Sequence, residues 1–259
     1  VTNQSNTCAP TAALTKALSI ATGTTPPAEE KAPHIVPFCK EQVEILLEDE
    51  HLLLVNKPSG LLSVPGKHPA NHDCLISRLQ LDYPQARMAH RLDLDTSGIM
   101  VVALNADCHR ALNRLFSDRL VSKQYQAIVY GTPEQPEGDI ELPLICDWPN
   151  RPKQKVDFEE GKKSLTHYQL ISQLMKPPTS PLIDQQADRS RLLLTPITGR
   201  SHQLRVHLAE IGHPILGCEF YAHEKAFTMA ERLQLHATDL QFIHPMTGEK
   251  INGHSRCPF

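Results

Sequence analysis

A chain of 259 residues with 40% apolar side chains has ample length to bury a core, as one large domain or two small ones, and is too apolar to be disordered. Its longest uninterrupted apolar run, residues 99–104, is far too short to span a bilayer, which excludes a membrane helix. The balance of 26 Lys and Arg against 29 Asp and Glu, a formal charge of −3, weighs at first sight against nucleic acid, whose phosphates are bound by excess Lys and Arg.

Residues 1–37 are rich in Thr, Ala and Pro, have no aromatic, and lack the basic and long apolar regions of a signal peptide. Residues 1–40 are therefore expected to form a flexible tail that can carry a short helix, with an arm docked on the body as the alternative, and 41–259 the folded body. Within the body, 43–47 and 52–55 flank an acidic turn and predict a strand pair. Residues 73–81 predict a helix capped by Asp73 and stopped before Pro84. The continuous apolar run 99–104 suits a strand in mid-sheet. Asn105 then caps a helix whose Cys108, Ala111, Leu112, Leu115 and Phe116 recur at three- and four-residue spacing.

Residues 123–130 alternate as a strand with Tyr125, Ala127 and Val129 on one face. A loop is expected at 177–188 and a strand at 191–194. A helix is expected over 201–211, ended by Gly212 and Pro214. Irregular alternation of strands and helices with hairpins predicts an α+β fold: a mixed, largely antiparallel β-sheet with flanking helices and a central cleft. No repeat, GxGxxG or Walker loop is present.

Seven cysteines, odd in number and widely spaced, form no CxxC pair and read as small buried hydrophobes of a reducing compartment. The 14 histidines accompany no HExxH, Cys/His knuckle or EF-hand loop, so neither metal nor cofactor is expected.

Chemistry concentrates in four segments. His90-Arg91-Leu92-Asp93-Leu94-Asp95-Thr96-Ser97-Gly98 runs into the 99–104 strand, which places Arg91 and Asp93 on a loop at the sheet edge. A carboxylate beside a guanidinium stays ionised and can act as nucleophile or base; the bland alternative is a polar loop with an internal ion pair. In Thr195–His207, a Thr- and Gly-rich turn enters a helix whose first-turn N–H groups, with Arg200, could bind phosphate. Arg205 lies one residue off the buried stripe of Leu204, Leu208 and Ile211. It needs a carboxylate partner, for which Asp93 is a candidate. Tyr125 is either core or a platform for a base. Arg151, Lys153 and Lys155 lie with two prolines and Trp148 on one stiff basic loop.

The order Val55-Asn56-Lys57-Pro58-Ser59-Gly60, then 90–98, 123–127, and 199–207 with 212–217, resembles the RluA-type family of RNA pseudouridine synthases across roughly 43–245. Residues 142–156 resemble a small member acting on both 23S rRNA and the anticodon stem-loop of tRNA. The resemblance implies a pseudouridine synthase fold without cofactor or metal, catalytic Asp93, Tyr125 stacking on the base, and Arg205 pairing with the aspartate. It also implies that Arg91 fills the space left by a flipped uridine. Arg200 and His202 join these as substrate contacts. Larger relatives carry an N-terminal S4-type domain, for which the first forty residues are too short and uncharged.

Two positions depart from the family pattern. Cys218 stands where Asp is usual, which is expected to alter a local hydrogen bond. Ser164 replaces a frequent Ala and is expected at the surface. The partners expected are 23S rRNA and tRNA stem-loops, met by a cytoplasmic monomer with no membrane contact. The rivals are an RNA-binding module without catalysis, which intact Asp93, Tyr125 and Arg205 speak against, and a hydrolase using Asp93 and His90, which lacks an oxyanion motif. Placement then reverses the inference from net charge: with Arg91, Arg200 and Arg205 in the motifs, a locally positive cleft on an acidic body is expected.

Overall fold

The computed structural model describes residues 35–174 and 189–259; the readings of residues 1–34 and of the 177–188 loop lie outside the described residues. Twelve strands are described: β1 Glu44–Glu48, β2 Leu52–Lys57, β3 Arg87–Met88, β4 Ser97–Ala103, β5 Ser122–Tyr130, β6 Glu137–Glu141, β7 Leu144–Cys146, β8 Gln154–Val156, β9 Leu165–Leu174, β10 Arg189–Pro196, β11 Leu235–Ile243 and β12 Lys250–His254. Four helices accompany them: α1 Leu75–Leu79, α2 Ala106–Ser117, α3 Gln203–Glu210 and α4 Glu224–Thr228. Among the described residues no helix is long and apolar enough to cross a membrane.

Ten strands form one sheet in the order β1-β2-β4-β11-β5-β10-β9-β6, with β3 on β4 and β12 on β11; β7 and β8 form a separate hairpin. The β4–β11 pair is parallel and the other named pairs are antiparallel, as expected of a mixed, largely antiparallel sheet. Strand β4 is buried at all seven residues, which is why its sequence from Ile99 onward is continuously apolar rather than alternating. Strand β10 alternates strictly between half-buried and buried positions, the period of a strand covered fully on one face.

Two large cores lie along the sheet, beside a smaller cluster of Ile128, Leu216 and Ala226. One gathers β2, β4, α1 and α2, and the other β5, β10, α3 and Ile215; Tyr125 packs against both. Ala127 and Val129 share its face, as the alternation predicts. Asn105 caps α2 by accepting from the Cys108 N–H at 2.9 Å.

Helix α1 departs from expectation. Asp73 does not cap it, because both its carboxylate oxygens are taken by Arg78 at 2.7 Å; the Ser77 hydroxyl accepts from the Cys74 N–H instead. Arg78 also donates to the carbonyls of Cys39 and Glu41, and the Val36 N–H donates to Asn71. Residues 36–40, assigned to the tail by composition, are thus tied to the body. Helix α3 starts at Gln203 rather than 201, because His202 adopts a left-handed conformation with φ 54°.

Candidate active site

The loop before β4 is clamped from the segment after β2. The buried Lys57 ammonium donates to the carbonyls of Leu61 (2.7 Å), Pro58 (2.8 Å) and Leu94 (3.0 Å), one acceptor for each of its three N–H groups. Ser59 Oγ donates to the Asp95 carbonyl at 2.7 Å, and Ser63 Oγ both donates to the Leu92 carbonyl and accepts from the Leu92 N–H. Burial pushes Lys57 down to about 7 against the pull of Asp95 and Asp93. Lys57→Met leaves three buried carbonyls without that donor, so a loss of about 2–4 kcal/mol is expected in urea denaturation. An unchanged midpoint would mean that the clamp does not carry the loop.

Asp93 sits on this loop, its side chain 27% exposed, and faces the Arg205 guanidinium at 3.5 Å. The pairing expected from sequence forms, but Arg205 is deeper than its place beside the helical stripe suggested, with 2% of its side chain exposed. The difference lies in what covers it. Its Nε donates to Cys218 Sγ at 3.3 Å, and its guanidinium lies over Phe220 (5.1 Å) and Tyr221 (5.5 Å). Cys218 therefore does set a local hydrogen bond, and the residue it bonds is Arg205. The guanidinium facing Asp93 comes from α3, while Arg91 is exposed and lines the cleft.

His90 takes another path. It accepts from the Val101 N–H at 3.0 Å and stacks on Phe116 at 4.5 Å; burial first, with Lys123 nearby, pushes it down to about 3. It is a neutral structural acceptor, which removes the Asp93–His90 hydrolase reading. His202 lies on the other side of Asp93, with Nε2 3.8 Å from the carboxylate, and its Nδ1 is 2.6 Å from the Tyr221 hydroxyl.

These groups line a cleft of about 490 Å³. Among the described residues that line it, Arg91, Arg119, Lys123, Arg200 and Arg205 are cationic and Asp93 is the one carboxylate, which is the locally positive cleft expected on an acidic body. Tyr125 forms one wall, and burial, with Asp93 adding, pushes its phenol up so that it stays protonated. Arg200 is exposed at the rim, its Nε donating to the Lys163 carbonyl at 3.3 Å. A second cavity beside the first is reached by Arg91, Asp93, His202 and, from the β7–β8 hairpin, Arg151. At the hairpin tip Arg151 stacks on the exposed Trp148 at 4.4 Å.

Two details correct the sequence reading. The turn before α3 does not present all its N–H groups: that of Arg200 donates to Gln203 Oε1 at 3.0 Å, and that of Gln203 to the Arg200 carbonyl. Ser164 is not a surface substitution; it is buried, donates to the Leu142 carbonyl and meets His207 Nε2 at 2.9 Å. Sequence reasoning also gave no role to Lys57, though it lies in a quoted motif, and passed over Arg119, Phe220 and Tyr221. A lysine ending an apolar strand before Pro58 was the available signal for the first; the others are remote in sequence and are joined by the fold alone. Among the described residues no group of three or more His, Cys, Asp or Glu side chains could hold a metal ion.

A sequence profile for the family described as RNA pseudouridylate synthase matches residues 51–210. Relatives named dual-specificity RNA pseudouridine synthase RluA include one from Salmonella typhi, 52% identical over 80% of this chain and 90% of that one. Another, from Yersinia pestis, is 52% identical over 82% of this chain and 97% of that one. Among solved structures, human RNA pseudouridylate synthase domain containing 1 superposes with a TM-score of 0.68 and 27% identity, covering 88% of this chain and 87% of that one. Its counterpart, domain containing 4, gives 0.64 and 26%, over 83% and 88%.

Proposed function

The chain belongs to the RNA pseudouridylate synthase family, and from that premise we propose that its cleft isomerises selected uridines in both 23S rRNA and the anticodon stem-loop of tRNA. The observation that carries the site assignment is Asp93, the one carboxylate among the described residues lining a cationic cleft, paired with a buried guanidinium and sharing the cleft with Tyr125.

The reaction breaks N1–C1′, turns the uracil and joins C5 to C1′; C5 gives up a proton and N1 gains one. Atoms and electrons balance within the substrate, so the net change requires no redox partner. The uridine leaves its stack to reach Asp93, at a cost of a few kcal/mol that is lowest in loops. In this reading Asp93 acts on the nucleotide, Arg205 orients it, Tyr125 packs against the extruded base and Arg91 fills the vacated space. Arg200 at the rim takes backbone phosphate, and His202 completes the wall of the cleft. The enzyme is read as a cytoplasmic monomer whose catalytic body is 41–259 together with the docked residues 36–40.

The test uses RNA tritiated at uridine C5, since the proton lost there appears in water. Tritium release is expected from both a 23S rRNA helix and a tRNA anticodon stem-loop; release from one class alone would overturn dual specificity. Phosphate contacts by Arg119, Lys123 and Arg200, the cleft cations given no other role, predict that affinity drops roughly 20-fold between 50 and 200 mM salt at the single-strand slope. Salt-independent binding would rule out the cationic cleft as the RNA seat.

A further inference from the structure

The Tyr221 hydroxyl joins two parts of the molecule that are far apart in sequence. It accepts the Gln154 backbone N–H at 2.8 Å, at the first residue of β8, where the loop that carries Trp148 and Arg151 rejoins the β7–β8 hairpin. It also contacts His202 Nδ1 at 2.6 Å. These two bonds determine where the protons lie. The phenol is held above its usual range, at about 12, mainly by burial, so it keeps its proton at neutral pH. Its oxygen already receives the Gln154 N–H, and the partner within reach of its own hydrogen is Nδ1. Nδ1 is then the acceptor, and the ring hydrogen of the neutral imidazole must sit on Nε2.

Nε2 is the nitrogen that faces Asp93, 3.8 Å from Oδ2. That distance is longer than a hydrogen bond, as is common before substrate closes a site. The ring is held in this direction by the left-handed backbone of His202 and by stacking on Phe220, with centroids 5.7 Å apart and planes 12° from parallel. Burial lowers the His202 pKa against the pull of Asp93, so the neutral form is present at physiological pH. The other charged groups acting on it are Arg205, Asp95 and Arg91, and Arg151 of the hairpin shares its cavity.

We propose that Tyr221 is a positioning residue: it fixes His202 in the tautomer that points Nε2–H at Asp93, and through Gln154 it links that orientation to the seating of the hairpin. This rests on the reading of Asp93 as the catalytic carboxylate. A hairpin displaced from its seat withdraws the Gln154 N–H, which frees the phenol to turn and loosens His202. RNA that presses on Trp148 and Arg151 thereby holds the catalytic wall in order.

The test is a long-range ¹H–¹⁵N imidazole spectrum of the full chain, with the His202 signals assigned by His202→Gln. The Nε2–H tautomer is expected in the wild type and a mixture of tautomers in Tyr221→Phe; an Nδ1–H tautomer in the wild type would overturn the proposal. This readout needs no turnover, so it stands or falls separately from the role of Asp93. Tyr221→Phe frees Nδ1 for protonation, so the His202 pKa should rise and the acid limb of the kcat profile should move to higher pH. A fall in kcat of about tenfold with KM within twofold is expected. In a His202→Gln background Tyr221→Phe should have no further effect on kcat; additive losses would show that the tyrosine acts through packing alone.

Discussion

Asp93→Asn should abolish turnover, by at least about a thousandfold in kcat, while leaving RNA affinity within about threefold. Asparagine keeps the shape of the side chain and removes its charge, and with it the ability to attack carbon or take a proton. No second carboxylate stands ready: among the described residues lining the cleft, Asp93 is the only acid. Affinity is carried by other groups, since Arg91, Arg119, Lys123 and Arg200 remain in place. The substitution also removes the carboxylate facing Arg205, whose side chain is only 2% exposed. A buried cation without its counter-ion is destabilising, though the partial exposure of Asp93 and the nearby Asp95 reduce the effect to about 1–3 kcal/mol. Thermal denaturation beside the tritium assay separates the two consequences. A folded Asp93→Asn protein that retains turnover would remove the carboxylate from the mechanism.

The elements that could be read from sequence are those whose signals are local. The Asn105 cap, the buried β4 strand and the shared face of Tyr125, Ala127 and Val129 follow from side chains acting within a turn or a strand, and all three form. Asp73 illustrates the limit: its cap signal is sound, but a guanidinium five residues along binds the carboxylate in bidentate fashion and outcompetes a single backbone N–H. Charge made Asp93 a candidate partner for Arg205, the family resemblance implied the pair, and the two meet at 3.5 Å. The depth of Arg205 was not legible, because Phe220 and Tyr221 reach it only once the chain after α3 turns back over the helix. Ser164 likewise became a core residue through His207, forty-three positions away. Polar groups satisfied by distant partners look like surface residues in a one-dimensional reading, and the site is built largely of such groups.

Gly98→Ala should destabilise the fold by about 3 kcal/mol or more, and should misplace the catalytic loop in the fraction that folds. Gly98 occupies φ +122°, outside the regions open to L residues, and a Cβ there would fall against the Ala237 carbonyl oxygen and 2.5 Å from its nitrogen. Both neighbours are sheet backbone. Gly98 is in register with Lys57 on β2 and with Ala237 on β11, at the parallel β4–β11 strand pair. No side chain can rotate aside, so a strand must move. The strand that yields on either side carries the site: β2 ends in the Lys57 clamp, and β4 is led in by the loop bearing Asp93. Gly248→Ala is the control, since it has φ +76° with no atom within 4 Å of the added carbon and should cost only about 1 kcal/mol. At about 2–4 °C per kcal/mol, Gly98→Ala should lower Tm by about 6–12 °C, against roughly 2–4 °C for the control. Equal shifts for the two variants would mean that the backbone angle alone, rather than the close approach of β4 to β11, requires glycine at this position.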